Sequence, residues 1–150
     1  MLTIDPINFN SYPQPEWNAS NSVIGALEVL QQAHNKKSSD EAYGRFLSAV
    51  GNDHAGTYYP VVLAVLPQIE KVLNTGGVWA KRAGLEALID LGGSFIPEPG
   101  HEFHCDVSVK EALQAAIRSM RPVVAPLMKS DTSISKIASD LIELIDDQVV

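Results

Sequence analysis

The feature that most constrains this chain is an apolar helical stripe that continues through a proline. Between Gly51 and Gly77, apolar side chains recur every three or four residues, which is the spacing of one helix face. Pro67 stands inside this pattern. An interior proline costs an isolated helix about 3 kcal/mol, because it removes a hydrogen bond and crowds the preceding turn. We therefore expect a bent helix that is packed on both sides of the bend. The stripe consists of Tyr58, Val62, Val65, Leu66, Ile69, Val72 and Leu73.

The same periodicity predicts helices on both sides of this one, and no segment has the alternating pattern of a strand. The expected helices cover about 17 or 22 to 34, 38 to 50, 57 to 75, 78 to 91, 108 to 120, 122 to 129, and 132 or 133 onward. The longest break is residues 92–107, which are rich in glycine and proline. Six or seven helices joined mostly by short turns predict an all-α fold. The glycine-terminated turns favour antiparallel pairs stacked in an α-α superhelix over a simple bundle.

Local signals refine several helix ends. Ser38 to Glu41 is predicted to form a capping box at the start of the second helix. Gly51 is predicted to be the glycine that follows the last turn of that helix. Thr57 is the expected N-cap of the third helix, with Pro60 in its first turn. Ser108 begins another capping-box pattern.

A chain of 150 residues suits one domain, here residues 1–150. Residues 1–15 contain three prolines and are predicted to form an irregular arm. Apolar and aromatic residues in and just after this arm predict that it packs over the first helix. They are Ile7, Phe9, Tyr12 and Trp17.

The charge balance favours a basic protein partner. There are 11 basic and 18 acidic residues, which gives a net charge of −7. This charge repels nucleic acids and anionic membranes, although it also serves solubility. The single cysteine, Cys105, excludes an internal disulfide, and we identify neither a signal peptide nor a membrane span. We expect a cytoplasmic protein.

Sequence motifs of catalysis are missing, so we expect neither an enzyme nor a cofactor. No nucleophile elbow, phosphate loop or dinucleotide fingerprint is found. The run from His101 to Asp106 contains residue types that bind zinc, but no second ligand cluster accompanies it. Asp53 beside His54 has no serine or cysteine placed to use it, and a turn role is the simpler interpretation.

The candidate partner-binding residues are polar groups on two loops and on the last helix. The last helix carries several acids opposite its apolar stripe, either as a solvated face or as an electrostatic docking strip. The predicted contact residues are Asp53, His54, Tyr59, Glu98, Glu102, Asp140, Glu143, Asp146 and Asp147.

Two runs carry a family resemblance. They are AYGRFLSAVGNDHAGTYYPVVLAVLPQIEKVL, at residues 42–73, and WAKRAGLEALIDLGG, at residues 79–93. Together they cover about a third of the chain and resemble HEAT-like helical-repeat proteins. They are most similar to small bacterial members that are encoded beside polymorphic toxins and act as immunity proteins. The resemblance implies a helical scaffold without a fixed active site, which binds a cognate toxin and blocks it sterically.

Two other hypotheses remain open. The chain is alternatively a helical-repeat adaptor that binds a cellular protein or peptide in its groove. A metal-dependent enzyme that uses His101, His104 and Asp106 is the third hypothesis.

Overall fold

The computed structural model describes residues 9–130 and 132–148, and it is mostly helical. The longer helices are α1 (Ser22–Gln31), α2 (Lys36–Val50), α3 (Val62–Thr75), α4 (Val78–Gly92), α5 (Val109–Ser119) and α7 (Thr132–Asp147). A short helix α6 (Arg121–Val124) runs into a 3₁₀-helix (Ala125–Lys129) before α7. The all-α class is confirmed, whereas the superhelical arrangement stays a prediction. None of the helices in the described ranges is long and apolar enough to cross a membrane.

Helix α4 lies at the centre of the packing. It contacts α2, α3, α5 and α7, and also α1. Its small buried residues allow this, because a helix face without bulky side chains lets its neighbours approach closely. At Gly84, an added Cβ would already touch the side chains of Ile69 and Leu73 at 3.5 Å. The small buried residues of α4 are Ala80, Ala83, Gly84, Ala87 and Gly92.

The apolar stripe around Pro67 is confirmed as core. All seven predicted members are buried, from Tyr58 to Leu73. Pro67 lies inside α3, as predicted, but its side chain is exposed. Pro67 itself is therefore not enclosed by neighbouring helices, which corrects the expectation of packing on both sides of the bend; it lines an open groove with Ala116 and Met120. At this solvent-facing position, water can replace the helix hydrogen bond that proline removes.

The chain has short strands, which the sequence pattern did not predict. They are β1 (Gly51–Asn52), β2 (Thr57–Tyr58), β3 (Ile96–Pro97), β4 (Phe103–His104) and β5 (Val107–Ser108). Strand β2 pairs antiparallel with β1 and parallel with β3, while β4 and β5 form a separate hairpin.

Several predicted helix ends shift. The second helix begins at Lys36 with Asn35 as its cap, and Asn35 and Ser38 form the capping box. Gly51 has an extended backbone (φ −172°) and starts β1, so it is not a left-handed cap. Thr57 belongs to β2, and α3 starts later, at Val62. Ser108 caps α5 as predicted, accepting a hydrogen bond from the backbone N–H of Glu111 at 3.2 Å.

The N-terminal arm continues through Trp17 and Asn18, which anchor it to the end of α2. The Asn18 side chain donates to the carbonyl of Ala49 at 2.8 Å, and the Trp17 indole donates to that of Ser48 at 3.0 Å. Phe9 is buried in the core, as expected for an arm that packs. Ile7 lies outside the described residues.

Candidate functional site

Two segments that are distant in sequence meet at one edge of the protein. The turn at residues 51–59 and the loop at residues 94–108 are joined by parallel pairing of β2 with β3, in which Thr57 faces Ile96 and Tyr58 faces Pro97. The Ile96 N–H donates to the carbonyl of Gly56 at 3.0 Å. We call these two segments, with Tyr12 beside them, the loop face.

The loop face depends on a close backbone approach at Gly51. A Cβ at this position would lie 2.0 Å from the carbonyl oxygen of Thr57. Only glycine leaves room for the pairing of β1 with β2. Within the turn, the Asn52 side chain accepts a hydrogen bond from the N–H of Ala55 at 3.1 Å, which supports the predicted turn role of this segment.

Glu98 is a structural member of the loop face. Its carboxylate accepts a hydrogen bond from the Thr57 hydroxyl at 2.8 Å, and its N–H donates to the carbonyl of Tyr58 at the same distance. Glu98 is half-buried, whereas Glu102 is exposed and accepts a hydrogen bond from the N–H of Gly100 at 2.8 Å. Of these two predicted contacts, Glu102 is the more accessible to a partner.

A tight hairpin projects from the loop face. Cys105 and Asp106 connect β4 to β5 with φ angles of 50° and 65°, in the left-handed region that most residues avoid. Phe103 pairs with Ser108. The backbone N–H of Val109, the residue after Ser108, donates to the carbonyl of Glu102 at 2.9 Å. The hairpin is therefore held at the start of α5.

Both histidines of this loop lie against tyrosine rings: His104 stacks on Tyr12, whereas the His101 ring is tilted by 42° relative to that of Tyr59. The ring centroids of Tyr59 and His101 lie 4.9 Å apart, and those of Tyr12 and His104 lie 4.8 Å apart. Burial, together with the charges of Glu98 and Glu16, raises the pKa of Tyr59. The two imidazoles thus contact different tyrosines. Within the described ranges, no group of three or more acidic, histidine or cysteine residues is placed to hold a metal ion.

The loop face also carries most of the large exposed apolar side chains of the described structure. Phe103 is 69% exposed, Ile96 54% and Val107 49%; the fourth such residue, Trp17, lies on the arm. No sequence pattern distinguishes Ile96, Phe103 or Val107, because an irregular segment has no periodicity that separates buried from exposed apolar residues. Only the pairing of β2 with β3 and of β4 with β5 shows where they lie.

A second polar region lies between α2, α4 and α7. It is a cleft of about 340 Å³, which we call the Tyr43 cleft, and it is lined by Tyr43, Arg82, Glu86, Ile89, Asp90, Ile137 and Asp140. The Tyr43 hydroxyl donates a short hydrogen bond to the Asp90 carboxylate. Burial, this hydrogen bond and nearby carboxylates raise the pKa of Tyr43 above its ordinary 10.0. Asp53, on the loop face, is one of those carboxylates.

The charges of the Tyr43 cleft are paired within the protein. Arg82 contacts Glu86 at 2.9 Å and lies over the Trp79 ring, 5.5 Å from its centroid. Lys136 contacts Asp140. Arg82–Glu86 lies within α4 and Lys136–Asp140 within α7, so the polar contact that crosses between helices is Tyr43–Asp90, from α2 to α4.

The predicted acidic strip of the last helix is partly occupied by internal pairs. Arg121 binds both carboxylate oxygens of Asp146, at 2.9 and 3.0 Å, and this contact lowers the pKa of Asp146. Asp140 is paired as described above. Glu143 and Asp147 are exposed, and neither forms an ion pair within 4.0 Å among the residues that the structure describes. His54, on the loop face, is exposed as well.

Comparison of the chain with protein-family models, with curated proteins and with solved structures gave no match.

Proposed function

We propose that this protein is an immunity protein that binds a cognate bacterial toxin domain and neutralises it sterically. The observation that supports this proposal is the loop face, where Ile96, Phe103 and Val107 are exposed beside carboxylates. Large exposed apolar groups with a polar rim are typical of protein-binding surfaces. The resemblance of residues 42–93 to HEAT-like immunity proteins adds the class of partner.

The proposed mechanism is occlusion in the bacterial cytoplasm, without turnover and without a cofactor. A bound immunity protein covers the toxin's active surface and blocks it sterically. The net charge of −7 favours a toxin with a basic surface, because opposite charges accelerate association and exclude unsuitable partners. A nuclease has such a surface, since it binds a polyanion.

Co-expression tests the proposal directly. We expect the product of the adjacent gene to be toxic when expressed alone, and to be neutralised by and to co-purify with this protein. A change of Gly84 to a large residue within the core provides an unfolded control that gives no protection. The proposal fails if the adjacent product neither binds nor loses toxicity. Binding of a cellular peptide in place of a toxin would establish the adaptor hypothesis.

A further inference from the structure

Phe103 has an unusual combination of exposure and fixed position. Its side chain is 69% exposed, the largest exposed fraction among the large apolar residues in the described ranges. Its backbone is nevertheless paired with Ser108, whose hydroxyl caps α5. Because the backbone at Phe103 is already ordered, a partner that covers the ring need not order the main chain as well.

The turn of the hairpin that carries Phe103 has an energetically unfavourable backbone conformation. Cys105 and Asp106 both adopt left-handed backbone conformations, although neither is glycine. Such conformations persist where surrounding contacts enforce them. Here the enforcing contacts are the pairing of β4 with β5 and the stack of His104 on Tyr12. The local structure thus fixes the backbone from which the exposed Phe103 side chain extends.

The charged residues of the loop face indicate the charge of the partner that would bind there. Residues 51–59 and 94–108 contain Asp53, Glu98, Glu102 and Asp106 but no lysine or arginine. Lys110, on the first turn of α5, is the nearest basic residue in sequence, and Glu111 follows it. Two copies of this face would bring carboxylates together, which disfavours self-association. The same carboxylates repel an anionic membrane.

We infer that Phe103 is the anchor of the partner interface and that it enters an apolar pocket edged by lysine or arginine side chains on a protein partner. Exposed Glu102 precedes the anchor directly and exposed Asp106 follows it by three residues on the same hairpin, and both pair with those basic groups. The inference rests on the proposed function for the identity of the partner. Its chemistry follows from the loop face alone.

The first test measures binding of the adjacent gene product to variants of this protein. We expect Phe103→Ala to weaken the Kd on the order of 30-fold, as loss of an interface anchor does. The matched control is Trp17→Ala, which removes another exposed aromatic ring, from the arm, and leaves the Kd within about threefold. An unchanged Kd for Phe103→Ala would overturn the inference while leaving the proposed function intact.

A pair of double variants separates local charge from net charge. Glu102→Gln with Asp106→Asn, and Glu143→Gln with Asp147→Asn, each remove two negative charges. We expect the first pair to slow association roughly tenfold at low salt and the second to slow it by less than about twofold. A larger effect at Glu143 and Asp147 would place the docking site on α7 and overturn the inference.

A second probe does not depend on the toxin. Random linear peptides are displayed on phage and selected on the immobilised full-length protein. We expect enriched peptides that combine arginine or lysine with apolar residues and that lose binding to Phe103→Ala. Such peptides would support the inference even if the adjacent gene product does not bind. Peptides that bind wild type and Phe103→Ala equally would overturn it. A dimer in light scattering that Phe103→Ala dissociates would also overturn it, because the occupant would then be a second copy.

Discussion

The Tyr43 cleft and the loop face use their side chains in opposite ways. In the cleft, the polar groups of Tyr43, Arg82 and Asp140 have partners within the protein. On the loop face, the backbone is paired while Ile96 and Phe103 project into solvent. A surface whose polar groups are satisfied internally gains little from a partner. A fixed surface with exposed apolar groups gains from being covered. The comparison separates a region that stabilises the fold from a region suited to binding.

The largest expected difference is between two phenylalanines. Phe46 is fully buried in the core, whereas Phe103 is mostly exposed. We expect Phe46→Ala to lower the free energy of unfolding by about 3–5 kcal/mol, because it removes a large buried group and leaves a cavity. Phe103→Ala should change it by less than about 0.5 kcal/mol. Urea denaturation followed by circular dichroism measures both values. A loss above about 1.5 kcal/mol for Phe103→Ala would show that the ring supports the fold.

A glycine pair tests whether close backbone approach holds the loop face. Gly51→Ala would place a Cβ 2.0 Å from the Thr57 oxygen, and we expect it to cost about 3 kcal/mol. Gly44→Ala is the matched control, because a Cβ there meets nothing within 4 Å. This helix-interior change should stabilise the protein by up to about 1 kcal/mol. Thermal unfolding of both variants measures the difference. Equal melting temperatures would contradict the role assigned to Gly51.

The Tyr43 cleft is expected to show a smaller effect that depends on pH. Tyr43→Phe removes the hydrogen bond to Asp90 and should cost about 2 kcal/mol at pH 7. The folded state raises the pKa of Tyr43 above 10.0, so the unfolded chain releases this proton first as the pH rises. Stability that is present below pH 10 is therefore lost progressively above it.

Urea unfolding between pH 7 and 11 measures this dependence. In Tyr43→Phe, the free energy of unfolding should fall less steeply as the pH rises. Part of the fall should remain, because the pKa of buried Tyr58 is also raised, to about 12. The control is Tyr12→Phe on the loop face, which keeps the ring that stacks on His104. If both variants behave alike, the Tyr43–Asp90 contact does not stabilise the fold.

Periodic patterns predicted the core well, and tertiary pairing explains what they missed. The stripe from Tyr58 to Leu73 follows from helical spacing and burial, and Ser108 follows from local capping chemistry. Thr57 was assigned as a cap because threonine commonly fills that role, yet it pairs with Ile96. That partner is distant in sequence, so no local pattern contains the pairing. The candidate site is the least predictable part, since the position of Ile96 depends on this distant pairing and that of Phe103 on a hairpin with no alternating apolar pattern.

The acidic residues of the last helix also show that a local pattern does not contain contacts between distant segments. Helical spacing grouped Asp140, Glu143, Asp146 and Asp147 on one helix, and all four lie on α7. Spacing within one helix does not show that Arg121 reaches Asp146. A count of acidic residues in the sequence therefore overestimates the number of carboxylates that remain unpaired and available to a partner.

Main-chain pairing at Thr57 and Tyr58 has a consequence for divergence among descendants of this gene. Amide and carbonyl groups are common to almost all amino acids, so the scaffold of this edge tolerates replacement of its outward side chains. Replacement of Ile96 can therefore change the outer surface of this edge without loss of the pairing with Thr57.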